Sequence, residues 1–264
     1  MIIFEWTKPG IWIEELDPND AWRISGQIGE LEDAIEEANV VLNMFDQTRA
    51  ADRTSEKVKA AFELRAKISR EVEEELFPDG IQPRGDLGED FHSEYHKRRA
   101  RVDAAVRHRL WNSGFLPQGI LNKPPFIFAK AFIHALDLFG KFLGDIAKDR
   151  AAPSRINATR DKYFEALPDL QEVRNSIQHA EDRSKGMVRK NRIDLKKIDT
   201  SKIPFEGVAL VNSALNGNRF GTTMADGHYG AVDISADTIE IMRSALLDVY
   251  AAFKWTGGEQ LFPR

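Results

Sequence analysis

The sequence predicts a mainly helical fold: a bundle with a small antiparallel β-meander inserted before the C-terminal helix. Three observations predict it. Ile24, Ile28, Leu31, Ile35, Ala38, Leu42 and Phe45 recur at alternating spacings of three and four, the repeat of one buried helical face. Beyond about residue 205 the period switches to two, punctuated by Asn216-Gly217 and Asp226-Gly227, which mark strands joined by tight hairpins. A helical repeat then resumes after Ser235 and carries Ile239, Met242, Leu246, Val249 and Phe253.

The elements follow in order. Residues 1–16 form an N-terminal extension with two short apolar runs, Ile2–Trp6 and Ile11–Ile13, split by Lys8-Pro9-Gly10. They either pair as a small hairpin or lie across the bundle. The first long helix starts near Asp17-Pro18-Asn19. A second helix is expected from Thr54 to Phe77, with Val58, Phe62, Ile68 and Val72 inward. The prolines and glycines of Phe77–Gly88 make a loop, Glu89–Asn112 a third helix, and Ser113–Pro125 another loop. Pro125–Asp149 is the most apolar helix, with Phe128, Phe132, Leu136, Phe139, Leu143 and Ile146 on its core face. A short helix at Ser154–Leu167 leads into a helix opened by Pro168 and Asp169 and ended by Gly186, with Leu170, Val173, Ile177 and Ala180 inward. Strands are expected at Val208–Ser213, Arg219–Met224 and His228–Ile234. The whole reads as one domain over residues 1–264: bundle 17–182, basic loop 183–205, meander 206–234 and final helix 235–254.

Composition narrows the function. Apolar residues make up 42% of the 264, enough for a large core. With no cysteine, disulfides and thiolate zinc sites are excluded. The N-terminus carries Glu5 where a signal peptide needs basic residues. The apolar stretch 126–146 is interrupted by Lys130, His134, Asp137, Lys141 and Asp145, so it is amphipathic rather than membrane-spanning. A cytoplasmic protein without a membrane partner is expected. The net charge of −5 is unevenly spread. Residues 1–50 hold eleven acidic against three basic side chains, a net of −8. Residues 182–197 hold seven basic (Arg183, Lys185, Arg189, Lys190, Arg192, Lys196, Lys197) against two acidic ones, a net of +5. That run can hold a phosphate backbone; as a bare charge run it can equally be a solvated loop.

The residues just before the basic run carry the sharpest signal. At about 100° per residue His179 lies roughly 140° from the centre of its helix's apolar stripe, with Asn175 opposite the stripe. Both therefore face solvent or a partner. Arg174-Asn175, three residues, then His179 resembles the Arg-x4-6-His motif of the HEPN superfamily, in which a polar residue often follows the arginine. The resemblance covers the motif helix; the rest of the chain shares only helical character with the family. It implies a metal-independent endoribonuclease of toxin or defence type. In it His179 transfers protons, Arg174 clamps the phosphate and Asn175 positions phosphate or histidine, with no cofactor. Arg183, Lys185, Arg189, Lys190 and Arg192 would hold RNA. Because Arg174 and His179 sit about 140° apart on an ideal helix, one helix converges them only in part. A homodimer with a composite site would solve this, as HEPN ribonucleases do. The alternative is a non-catalytic HEPN-like bundle acting as a regulatory or partner-binding module beside a nucleotidyltransferase, whereas an antitoxin partner would hold an active form silent; a third option is a helical protein outside the family whose motif is accidental.

Other constellations are weaker. Arg101 and His108 satisfy the loose motif too. His92 and His96 have helical chelating spacing, but Glu94 is misplaced for a zinc-protease motif and Lys97-Arg98-Arg99 repel a cation. His134, beside Phe132 and Ile133, reads as a hydrogen-bonded structural histidine, and His228 as the end of a strand.

Overall fold

The computed structural model describes residues 1–50, 55–83 and 90–264. Its elements are β1 (Trp6–Lys8), β2 (Trp12–Ile13), α1 (Pro18–Ala50), α2 (Ser55–Leu76), α3 (Asp90–Asn112), α4 (Gln118–Leu121), α5 (Pro124–Lys148), α6 (Ile156–Ala166), α7 (Leu170–Gln178), α8 (Ala180–Arg183), β3 (Met187–Val188), β4 (Asn191–Arg192), β5 (Ala214–Asn216), β6 (Arg219–Thr223), β7 (Tyr229–Asp233), α9 (Ala236–Tyr250), β8 (Trp255–Thr256) and β9 (Gln260–Phe262). The fold is mainly helical, with small antiparallel sheets. The chain forms two compact units, residues 1–48 with 125–264, and residues 49–124. No helix among the described residues is long and apolar enough to cross a membrane.

The larger unit is built on α1 and α5. Asp17 starts α1, its Oδ1 accepting from the Asn19 N–H at 2.9 Å. The expected seam from Ile24 to Phe45 is fully buried. Phe132, Leu136, Phe139, Leu143 and Ile146 of α5 are buried against the same core, with Phe128 half-buried. α6 packs on α9, and α7 packs on β6 and β7. Ser235 caps α9, its hydroxyl accepting from the Thr238 N–H.

The meander is present with its first strand displaced. Asn216 faces Arg219 across a turn whose Gly217 has φ 58°, so pairing runs over Ala214–Asn216 instead of Val208–Ser213. Residues 208–213 are tied by isolated bonds instead: Val208 bridges Lys197, the Thr223 N–H donates to the Val211 carbonyl at 2.7 Å, and the Val211 N–H donates to Thr223 Oγ1 at 2.8 Å. The two N-terminal runs do not pair with each other. β1 pairs with β9 and β2 with β8, and Trp6 stacks on Phe262 with ring centroids 5.8 Å apart.

In the smaller unit α2 and α3 form a hairpin around Ile68, Val72, Val102 and Val106. Phe62, expected inward, is 75% exposed. The inward reading of Val58, the Thr54 start and the loop tip 84–89 lie outside the described residues.

Candidate active site

The motif helix does not run through. α7 stops at Gln178, and His179 adopts φ −107°, ψ 39°, its N–H still bonded to the Asn175 carbonyl while its own carbonyl starts α8 by accepting from Asp182 and Arg183. This moves the buried stripe. Leu170, Val173 and Ser176 are buried, Ile177 only partly, and Ala180 is exposed. The start of α7 is pinned by Asp169, whose carboxylate accepts from the Ala231 N–H of β7 at 2.9 Å and pairs with Lys202 at 2.5 Å. It is a cross-link to the sheet, with no capping bond to α7's own backbone.

Beyond α8 the expected basic loop is partly ordered as a hairpin. Gly186, at φ 68°, turns the chain, and its carbonyl accepts from the Ile193 N–H to close the hairpin base. The next segment docks on the β6–β7 turn, where the Lys196 N–H donates to the Gly227 carbonyl. Any Cβ on Gly227 would lie 1.9 Å from the Asp194 carbonyl oxygen, so only glycine allows this approach.

Between these elements lies a cleft of about 360 Å³ lined by Glu172, Asn175, His179, Asp182, Arg183, Val188, Arg189 and Ala225. Glu172, Asn175 and His179 are three and four residues apart, one face of α7. His179 is exposed, its Nδ1 3.9 Å from Glu181 Oε1, a distance that gives an ion pair when the ring is protonated. Asn175 donates to Glu172 Oε1 at 3.3 Å and accepts from Arg174 Nη1 at 3.0 Å.

Arg174 points elsewhere. It does not line the cleft. Its Nε lies 2.7 Å from Oδ2 of Asp137 on α5, side chains 16% and 6% exposed, and its Nη1 also donates to Gln178 at 2.7 Å. The Arg174–Asp137 contact is an ion pair by distance, but the N–H does not aim at the oxygen, so it is not also a hydrogen bond. Lys141 approaches the same carboxylate at 2.8 Å. Tyr163 of α6 donates to the Leu136 carbonyl at 2.7 Å. Burial, and after it the Asp137 charge, raises that phenol far above its ordinary pKa. Asp137 thus anchors the motif helix, a role its place in an amphipathic helix did not reveal.

The basic residues divide into three groups. Arg183, expected to hold RNA, is 5% exposed and binds Ser176 Oγ at 3.3 Å and the Met187 carbonyl at 2.9 Å; its first job is to hold α8 to β3. Lys185, Arg189, Lys190 and Arg192 are exposed, and none has a carboxylate partner among the described residues. Lys196 and Lys197 are paired with Asp194 and Glu206. Lys196, by hydrogen bond and then by charge, holds the Asp194 carboxyl below its ordinary pKa. Arg189 has φ 56° in a two-residue hairpin turn, a conformation that glycine and asparagine adopt most readily and that costs another residue about 1 kcal/mol.

None of the remaining histidines lines the cleft. Arg101 sits over Phe77 at 5.6 Å and His108 lies edge-on to Trp111, so the second Arg/His pair is not brought together. His92 and His96 belong to no cluster of three or more metal-binding side chains among the described residues. His134 is exposed, against the expectation of a structural role, because it falls off the face of α5 that carries Phe132 and Leu136. His228 precedes β7, its Nδ1 3.0 Å from Asp226. No family model, curated protein or solved structure matches the chain.

Proposed function

We propose that this protein is a metal-independent endoribonuclease that binds single-stranded RNA in the cleft beside α7. The observation that carries the reading is the convergence of Asn175, His179 and Arg189 on one cleft, flanked by a hairpin of unpaired cations. In the reaction the ribose 2′-oxygen attacks phosphorus and the bond to the 5′-oxygen breaks. The products are a 2′,3′-cyclic phosphate and a 5′-hydroxyl. One group removes the 2′ proton and another protonates the departing oxygen. Neutral imidazole is suited to either transfer near pH 7, which assigns His179. Arg189 takes the phosphate-holding role expected of Arg174, because a guanidinium kept in a strained backbone conformation implies a use for it. Arg174 becomes a positioning residue that holds Asn175.

One imidazole lines the cleft, whereas the reaction moves two protons. A second copy related by a two-fold axis supplies the second histidine, which is the reason to propose a homodimer. Light scattering at micromolar concentration should report twice the chain mass; a monomer that nevertheless cleaves RNA would eliminate the composite site.

The decisive assay is cleavage of single-stranded RNA in EDTA, with the cyclic phosphate identified on the product. Arg189→Gly should leave the fold intact, since glycine relieves the turn. It should also weaken RNA binding and flatten its salt dependence by about 0.7 in log–log slope, one phosphate contact on a single strand. An unchanged slope would make the hairpin a solvated loop.

A second reading draws on the pairing of Arg174 with Asp137. It makes the motif structural and the protein a non-catalytic helical module that binds a partner. Tight partner binding by a protein that cleaves no RNA would select it.

A further inference from the structure

Residues 104–136 contain no aspartate or glutamate, yet hold Arg107, Arg109, Lys123 and Lys130. Within the unit of residues 49–124, the end of α3 and the turns after it present Trp111, Phe115, Leu116, Ile120 and Leu121, each between 39% and 54% exposed. Two tight turns set them at the surface. Phe115 N–H returns to the Leu110 carbonyl through Gly114 at φ 85°, and the Ile120 and Leu121 N–H groups both return to Pro117. Arg107 and Lys123 are exposed without a carboxylate partner among the described residues, His108 lies edge-on to Trp111 at 5.2 Å, and Arg109 is neutralised by Glu75.

We propose that this tip is a docking surface for an anionic lipid bilayer, on which the protein lies without spanning it. Soluble proteins scatter exposed apolar side chains; five large ones within eleven residues form a patch that calls for a cover. Trp and Phe suit the headgroup boundary, Leu and Ile the acyl region just beneath it, and Arg and Lys the lipid phosphates beside it. The aliphatic majority argues against a nucleic-acid strand, which rewards aromatic stacking and gives Leu or Ile nothing to bind. The cations argue against the same patch on a second copy, where like charges would meet. Bilayer attraction is set by charge within about 8–10 Å of the surface, and the part of the acid-free run inside this unit, residues 104–124, keeps Arg107 and Lys123 free of carboxylates among the described residues while Glu75 neutralises Arg109.

The test is flotation of the full chain with vesicles of equimolar phosphatidylcholine and phosphatidylglycerol, against vesicles of phosphatidylcholine alone. Binding is expected to the anionic vesicles only, and to weaken at high salt. Leu116→Asp with Leu121→Asp should reduce it roughly tenfold or more, since each side chain loses its transfer into the apolar layer. Trp22→Ala should leave it unchanged, as that exposed tryptophan lies on α1. The circular dichroism spectrum should be the same for every variant. Absence of binding to either vesicle would overturn the proposal. So would undiminished binding by the Leu116/Leu121 variant, loss of single-stranded RNA binding by that variant in place of vesicle binding, or its conversion from dimer to monomer.

Discussion

Replacing His179 with alanine should abolish RNA cleavage while leaving the protein as stable as before. A side chain supplying general acid–base catalysis commonly contributes roughly 10²–10⁴-fold, so the loss should be plain in a single-turnover assay. Stability should hold because the ring is 61% exposed and the carboxylate it pairs with when protonated, Glu181 at 3.9 Å, is exposed as well. Exposed substitutions of this kind fall within about 0.5 kcal/mol. EDTA should not change the wild-type rate, and the product should end in a cyclic phosphate. Full activity in His179→Ala, or activity lost in EDTA and restored by a divalent ion, would defeat the assignment. An active wild type with a monomeric mass would defeat only the composite-site part.

How legible was this in the sequence? The seam of α1 was read residue by residue, because a single amphipathic helix is a local object whose buried face follows from spacing alone. The turns of the meander were read too, since Gly217 and Gly227 have the positive φ that hairpins need. What failed was long-range or fine-grained. β1 and β9 are three residues each, and Trp6 meets Phe262 from the far end of the chain; strands so short carry no period to detect. Phe62 sat on the expected stripe of α2 but faces outward, since the α2–α3 contact uses Ile68 and Val72 from that helix, with Leu64 and Leu76 partly buried beside them. The break at His179 has no proline or glycine to announce it. It moves Ala180 off the core, and the stretch after it is held by the buried Arg183, bonded to Ser176 and to the Met187 carbonyl. In the candidate site, outward placement of Asn175 and His179 followed from helical geometry. The inward pull on Arg174 did not, because its partner Asp137 lies on another helix, 37 residues earlier.

That partnership yields the second large effect. Arg174→Ala should lower unfolding free energy by about 3 kcal/mol, near the low end of the cost of leaving one member of a buried pair behind. Lys141 remains beside Asp137 at 2.8 Å and is half exposed, so the stranded carboxylate keeps one partly solvated cation. Asp137→Ala should cost a similar amount, since it leaves a guanidinium 16% exposed with only the neutral Asn175 and Gln178 oxygens. The double variant should cost less than the sum of the two by about 1–3 kcal/mol, the coupling of groups in direct contact. Urea unfolding of the three variants measures this directly. The same series decides what the motif arginine is for. A guanidinium that clamps phosphate can be removed without touching stability, and its loss abolishes cleavage in the manner of His179→Ala. A guanidinium that positions Asn175 is instead coupled to Asp137, and Asp137→Ala should impair cleavage about as much as Arg174→Ala does. Arg174→Ala that is inactive yet fully stable, with Asp137→Ala fully active, would return Arg174 to the phosphate and overturn the positioning role.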